Sequence, residues 1–311
     1  MEVSHEILKT LISGAYWFKK IDDYLAFYRC SEEQIKNLQY DEFFYVRSKF
    51  SSSIHFDFET EAREISFFYK IVNISLRDSF DLYINDILAV VKLCENVPKE
   101  GKMRFDLPEG KKRVRLYFPV DAEVRIKNFQ SDKFCEPYAK GLNVLWIGDS
   151  ITQGAGSFMG SQTYVNIVSQ HLNYNSLNQG IGGFRYDSRI LAYLTEFFPN
   201  KIIISLGTND RYDNDFLFRL QDFYEKLNDL YKNIPVLVIT PVWRGDSEKR
   251  FEEIGKISNA VITVCKKYSN IKIINGLELV PHVSQCFWDN LHPNAWGMQL
   301  YAENLIKKLK R

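Results

Sequence analysis

The hydrophobic pattern gives the chain two textures. Over roughly the first 135 residues, apolar and polar positions alternate in short runs. Residues 52–59 read Ser-Ser-Ile-His-Phe-Asp-Phe-Glu, with the period of two that a half-buried strand requires. Residues 64–71, 79–84, 113–118 and 123–126 are further strand candidates, punctuated by turn residues such as Asn85-Asp86 and Pro108-Glu109-Gly110. Many short strands with one wet face predict an antiparallel β-sandwich, entered through a short helix near residues 7–12.

The texture changes near Pro137-Tyr138-Ala139-Lys140-Gly141, which reads as a short linker. Beyond it, apolar runs at 144–147, 202–206, 236–240 and 271–274, with a weaker one at 174–177, alternate with helical spacing. The helical stretches are 163–172, 216–231, 247–268 and 294–308. Strands buried on both faces and separated by helices predict a parallel, doubly wound α/β sheet. The expected organisation is a β-sandwich over 1–138 followed by an α/β domain over 139–311.

An open parallel sheet gathers its reactive groups at the carboxyl ends of its strands. Here those ends carry Gly148-Asp149-Ser150, then Asn178-Gln179-Gly180-Ile181-Gly182-Gly183, then Gly207-Thr208-Asn209-Asp210. Thr240-Pro241-Val242-Trp243 follows, and finally Asp289-Asn290-Leu291-His292-Pro293. Singly, each has a plainer reading as a turn, an N-cap or a loop histidine. Together they make an acyl-transfer set. Ser150 is a weak nucleophile that needs a base, His292 is a base suited to neutral pH, and Asp289 can hold the other ring nitrogen. An oxyanion needs preorganised donors, and the backbone N–H groups of Ser150 and Gly183 with the Asn209 amide can supply three. Asp149 is expected to shape the turn rather than to act as the triad acid.

Composition narrows the partners. The chain has 311 residues, of which 45% are hydrophobic and 25% charged, and its net charge is +1. That balance argues against binding to nucleic acid or to a membrane. No apolar run approaches the roughly 18 residues of a membrane span, and Met1 to Glu6 carries acids where a leader would carry bases, so a cytoplasmic location is expected. The five cysteines are scattered without a CxxC pair, and reduced, mostly buried thiols are expected. Of five histidines, His5, His55, His171 and His282 are expected to be surface or structural. No metal-binding motif and no cofactor is expected.

The second half, over about residues 142–311, resembles the SGNH (GDSL) hydrolase superfamily. Gly148-Asp149-Ser150-Ile151-Thr152 is similar to its first block, 178–183 to its second, 207–210 to its third and 289–293 to its fifth. The resemblance implies Ser150, Asp289 and His292 as catalytic residues and Ser150, Gly183 and Asn209 as oxyanion hole. It also implies a flavodoxin-like three-layer α/β/α domain with five parallel strands, acting as a metal-independent esterase. Ser79-Phe80-Asp81-Leu82-Tyr83 is similar to the Gly-x-Asp-Leu-Tyr signature of the jelly-roll-like β domain that precedes some bacterial SGNH hydrolases, with serine in place of glycine. A β-sandwich ahead of an SGNH domain also resembles carbohydrate esterases that deacetylate plant polysaccharides. Some of those lack the acidic triad member; this chain keeps Asp289.

The expected reaction is hydrolysis of a short acyl ester, an O-acetyl group on a carbohydrate. Phe184, Arg185, Trp243 and Trp288, with Tyr186, are candidates for the substrate pocket, because rings stack on sugar faces. Arg185 and Arg244 either bind an anionic group or brace the fold. The alternatives are a lysophospholipase or thioesterase for longer chains, and a non-catalytic glycan-binding protein. The expected partner is a small-molecule or oligosaccharide ester, with homo-oligomerisation left open.

Overall fold

Aromatic side chains fill the space between two antiparallel sheets in the first half of the chain. The computed structural model describes residues 3–73 and 78–310; Met1 and Glu2, part of the stretch read for a leader, lie outside it. One sheet runs in the order Ile12–Ser13, His55–Thr60, Lys112–Tyr117, Ser79–Ile84, Ile87–Leu93, with Cys135–Pro137 also paired to His55–Thr60. The other runs Trp17–Ile21, Tyr24–Tyr28, Glu123–Ser131, Glu64–Val72, Glu100–Asp106. Between them Phe27, Phe56, Phe58, Phe67, Phe80, Phe118 and Phe129 are fully buried. Each contributes about 2–3 kcal/mol of transfer free energy.

The second half forms a five-stranded parallel sheet. Its strands are β1 (Asn143–Gly148), β2 (Asn175–Gly180), β3 (Lys201–Ser205), β4 (Val236–Ile239) and β5 (Ile271–Ile274), in the order β2-β1-β3-β4-β5. That is the flavodoxin-like order, with its switch point where β1 lies between β2 and β3. The register pairs Gly148 with Gly180 on one side and with Ser205 on the other, so three strands end level. Helices Tyr164–Leu172 and Ala295–Leu309 pack on one face of the sheet, and Asn214–Tyr231 and Glu248–Cys265 on the other. All five cysteines are free and buried. Among the described residues, no helix is long and apolar enough to cross a membrane.

The two halves share a core. Strand Tyr24–Tyr28 is buried throughout: Leu25 and Phe27 face the sandwich, whereas Ala26 and Tyr28 join Leu177, Ile181 and Leu220 of the α/β half. Asp81, within the Ser79–Ile84 strand, accepts from the Ser161 N–H at 3.0 Å and the Ser161 hydroxyl at 2.8 Å, across the junction. The stretch read as a linker is pinned as well. Asp57, fully buried, takes both arms of Arg113 at 2.7 Å and the ammonium of Lys140, while Tyr138 lies against the Arg113 guanidinium.

Removing the Asp57 carboxylate strands two largely buried cations. Asp57→Ala is expected to cost about 3–5 kcal/mol, read as a lower urea midpoint at unchanged slope. Burial alone would raise the Asp57 carboxyl, but Arg113, His55 and Lys140 outweigh it and hold it far below an ordinary aspartate. Its contribution is therefore complete above the unfolded value of about pH 4 and is lost only in stronger acid.

Candidate active site

Strand β1 ends at Gly148 and the chain turns straight into a one-turn helix, Ser150–Gln153. Asp149 caps it, its carboxylate accepting from the Ile151 N–H at 3.0 Å. Burial pushes the Asp149 carboxyl up to about 6, and this local bond opposes the shift. The cap leaves the Ser150 N–H in the first turn, where no helical acceptor exists. The Ser150 side chain faces the sheet edge.

A loop after β5 brings up the base. His292 Nε2 lies 2.9 Å from Ser150 Oγ, and His292 Nδ1 lies 2.8 Å from Asp289 Oδ2. The other carboxylate oxygen of Asp289 accepts from the backbone N–H groups of Leu291 at 3.0 Å and His292 at 2.7 Å. One acid therefore orients both the ring and the loop that carries it. The loop approaches closely because Gly156 lies beneath it: a Cβ there would sit 2.7 Å from the Pro293 carbonyl and 3.0 Å from His292 Cβ.

The other oxyanion candidates lie on the loops that follow the neighbouring strands β2 and β3, whose ends are level with that of β1. Gly183 has φ +75, and a Cβ there would sit 2.9 Å from the Phe43 ring, so both backbone and space demand glycine. Among the described residues, its N–H meets no protein acceptor. The Asn209 amide donates one N–H to the Phe184 carbonyl at 3.1 Å, which aims the group and leaves its second N–H. The structure joins Ser150, His292 and Asp289 in one hydrogen-bonded line and leaves the Gly183 N–H and one Asn209 N–H without a described acceptor.

A GDSL-like lipase/acylhydrolase family profile matches residues 146–300, spanning the serine and histidine segments. The chain belongs to this family of ester hydrolases. Solved structures share both halves of the fold. The salicylyl-acyltransferase of a tetracycline biosynthetic pathway is 19% identical, covering 96% of this chain and 93% of that one at TM-score 0.77. A GDSL-like lipase structure from Bacteroides ovatus is 16% identical over 96% and 94% at TM-score 0.76. A family two carbohydrate esterase from Clostridium thermocellum, solved with cellohexaose, is 15% identical over 96% and 98% at TM-score 0.69. No curated protein matches the chain in sequence.

In this GDSL hydrolase the pocket candidates separate. Trp288 is exposed beside Asp289, its ring edge-on to Phe158. Arg185 is exposed on the Gly183 loop. Phe184 and Tyr186 are corrections: both are fully buried among core rings and offer no face to a sugar. Trp243 is half-buried, stacked on His282 and tilted against Phe287. Arg244 braces the fold, donating to the Thr208 carbonyl at 2.9 Å and pairing with Asp246.

The bracing has a pattern. Arg244 and Arg250 both donate to the Thr208 carbonyl at 2.9 Å, and Arg250 also reaches the Asp210 carbonyl at 2.8 Å, which fixes the peptides flanking Asn209. The glycine loop is held from the β-sandwich half. Arg29, fully buried, donates to the carbonyls of Phe50 at 2.7 Å, Asn178 at 2.6 Å, Gly180 at 2.7 Å and Arg47 at 3.0 Å. Gln153 accepts from the Gly182 N–H at 2.7 Å and donates to Asp121. Pattern reading misses Arg29 and Asp121, because nothing near them in sequence resembles a site, and it misses Gln153, which ends the one-turn helix begun by Ser150 and reads there as an ordinary polar residue. For Arg29 and Asp121 the only signal is a charge set beside apolar residues.

Arg29→Met is expected to lower kcat by about 10²-fold, the scale of one misplaced oxyanion donor, while KM for p-nitrophenyl acetate changes little. Arg29→Lys is expected to recover little of this, since an ammonium cannot span four carbonyls. Steady-state kinetics beside thermal melts separate this positioning effect from lost stability.

Proposed function

We propose that this GDSL hydrolase is a serine esterase that removes a short acyl group, an O-acetyl, from a carbohydrate. Ser150 is the nucleophile, His292 the general base and then acid, and Asp289 the group that fixes the imidazole tautomer. The Ser150 and Gly183 N–H groups and the Asn209 amide stabilise the oxyanion. The observation that carries this reading is the continuous line from Ser150 Oγ through His292 to Asp289, at 2.9 and 2.8 Å.

In the reaction, Ser150 Oγ attacks the ester carbonyl as its proton moves to His292 Nε2. The tetrahedral oxyanion collapses with protonation of the leaving alcohol by the same nitrogen. Water then repeats the sequence on the acyl-enzyme. Water as acceptor suits a site whose histidine and aspartate side chains are 21% and 42% exposed. The carbohydrate assignment is supported by the shared two-part architecture, because the Clostridium thermocellum esterase was solved with an oligosaccharide.

The test is a panel of p-nitrophenyl esters of increasing chain length beside acetylated oligosaccharides. A steep fall beyond butyrate together with acetate release from the sugars is the expected result. Rates that climb with chain length would replace this reading with a lysophospholipase or thioesterase.

A further inference from the structure

The wall beside the oxyanion glycine belongs to the first half of the chain. Helix Glu42–Ser48 lays Phe43 against Gly183 and Arg47 against Gly182, where a Cβ would meet Arg47 Nε at 3.0 Å. The Arg47 guanidinium stacks on the Phe43 ring with its carbon 3.4 Å from the centroid, a contact that orients the planar fork. It is half-buried, and that burial weakens its protonation. Yet no described residue accepts a hydrogen bond from its five N–H donors. Asp121 favours its charge from nearby, but hands its carboxylate to Gln153 rather than to the guanidinium.

Other arginines around the site are spoken for. Arg189 pairs with Asp187, Arg219 with Asp210 and Asp215, Arg244 with Asp246, and Arg250 with Glu253. Arg185, exposed two residues beyond Gly183, is the second guanidinium there without a described acceptor. Arg47 is thus a cation without a described acceptor, set against the loop that carries Gly183, whereas Arg185 acts on Asp210 from that loop's far end. A partly desolvated guanidinium held flat against a ring is built for a planar anion, which it can take with two parallel hydrogen bonds.

Resting on the deacetylase reading above, we infer that Arg47 binds a carboxylate on the substrate. An acetyl group has no place for a charge, so the anion must lie on the alcohol side. The substrate class is then an O-acetylated acidic sugar, one carrying a uronate-type carboxylate near the esterified hydroxyl.

The experiment measures kcat/KM on an O-acetylated uronic-acid oligosaccharide and divides it by that on its neutral O-acetylated counterpart. Wild type is expected to favour the acidic substrate by about tenfold or more, the scale of one charge-assisted pair. Raising the salt concentration is expected to shrink that ratio. Arg47→Gln is expected to bring it close to one. Arg47→Lys, which keeps charge but loses the fork, is expected to fall between. A wild-type ratio of one with neutral acetates turned over would overturn this inference and leave the deacetylase standing, as would an Arg47→Gln ratio equal to wild type. If Arg47→Gln fails to fold, the wild-type ratio and its salt dependence decide. Failure to hydrolyse any acetate would overturn both readings.

Discussion

Ser150→Ala is expected to lower kcat on p-nitrophenyl acetate by about 10⁶-fold, with the protein still folded. The hydroxyl is the only atom removed, and its one described side-chain partner is His292. The neighbouring Asp149 cap, which holds the turn, is untouched. His292→Ala is expected to fall to a similar level, because a serine without its base is nearly as inert as no serine. The double variant is expected to be no worse than either single one, since residues that act as a unit lose their effect together. Residual turnover above the uncatalysed rate would come from the oxyanion donors and binding alone. A Ser150→Ala protein retaining wild-type rate would end the covalent mechanism.

What the sequence made legible follows from which interactions are local. The parallel sheet announces itself because its three central strands, β1, β3 and β4, are near-continuous apolar runs buried on both faces, and residues 271–274 are read to the residue even with Lys272 among them. The motifs at the strand ends are legible for a similar reason, since the topology alone carries them to one edge. Strands Trp17–Ile21 and Tyr24–Tyr28 are not, and the cause is physical. The sandwich covers one face of Tyr24–Tyr28 and the α/β half covers the other, so alternation is erased. Strand Ile87–Leu93 is an edge strand whose Ile87, Leu88, Val91 and Leu93 all remain exposed, so its apolar pattern marks no core face. Phe184 and Tyr186 misled for a converse reason: proximity to Gly183 in sequence says nothing about which way a ring turns.

The contribution of the first half to the site was the least legible part. Arg29 lies about 150 positions from the Asn178 and Gly180 carbonyls that it holds. No spacing rule spans that distance. Such a long-range, fully buried cation bonded only to carbonyls is costly unless the geometry it enforces matters. Two candidate oxyanion loops held in the same way, by Arg29 on one side and by Arg244 and Arg250 on the other, would give that geometry a purpose under the proposed function.

Asp289→Asn is expected to lower kcat by about 10⁴-fold with little change in stability, the behaviour of a triad whose histidine is held in the wrong tautomer. The amide oxygen can still accept from the Leu291 and His292 N–H groups, so the loop keeps its shape. The amide nitrogen then faces His292 Nδ1 and can only donate to it. That places the ring proton on Nε2, where it meets Ser150 Oγ and cannot take the serine proton. Asp289→Ala differs because it also removes the acceptor of the Leu291 and His292 N–H groups, and it is expected to lower the melting temperature as well as the rate. Burial alone would raise the Asp289 carboxyl, but the His292 and Leu291 N–H groups and the His292 ring outweigh it and hold it below the usual carboxylate range. The acid is therefore ionised wherever the enzyme works at neutral pH. The wild-type kcat/KM profile is expected to show no second ascending limb from Asp289 above about pH 4. A second ascending limb in the neutral range that vanished in Asp289→Asn would mean the carboxyl titrates there, contrary to this geometry.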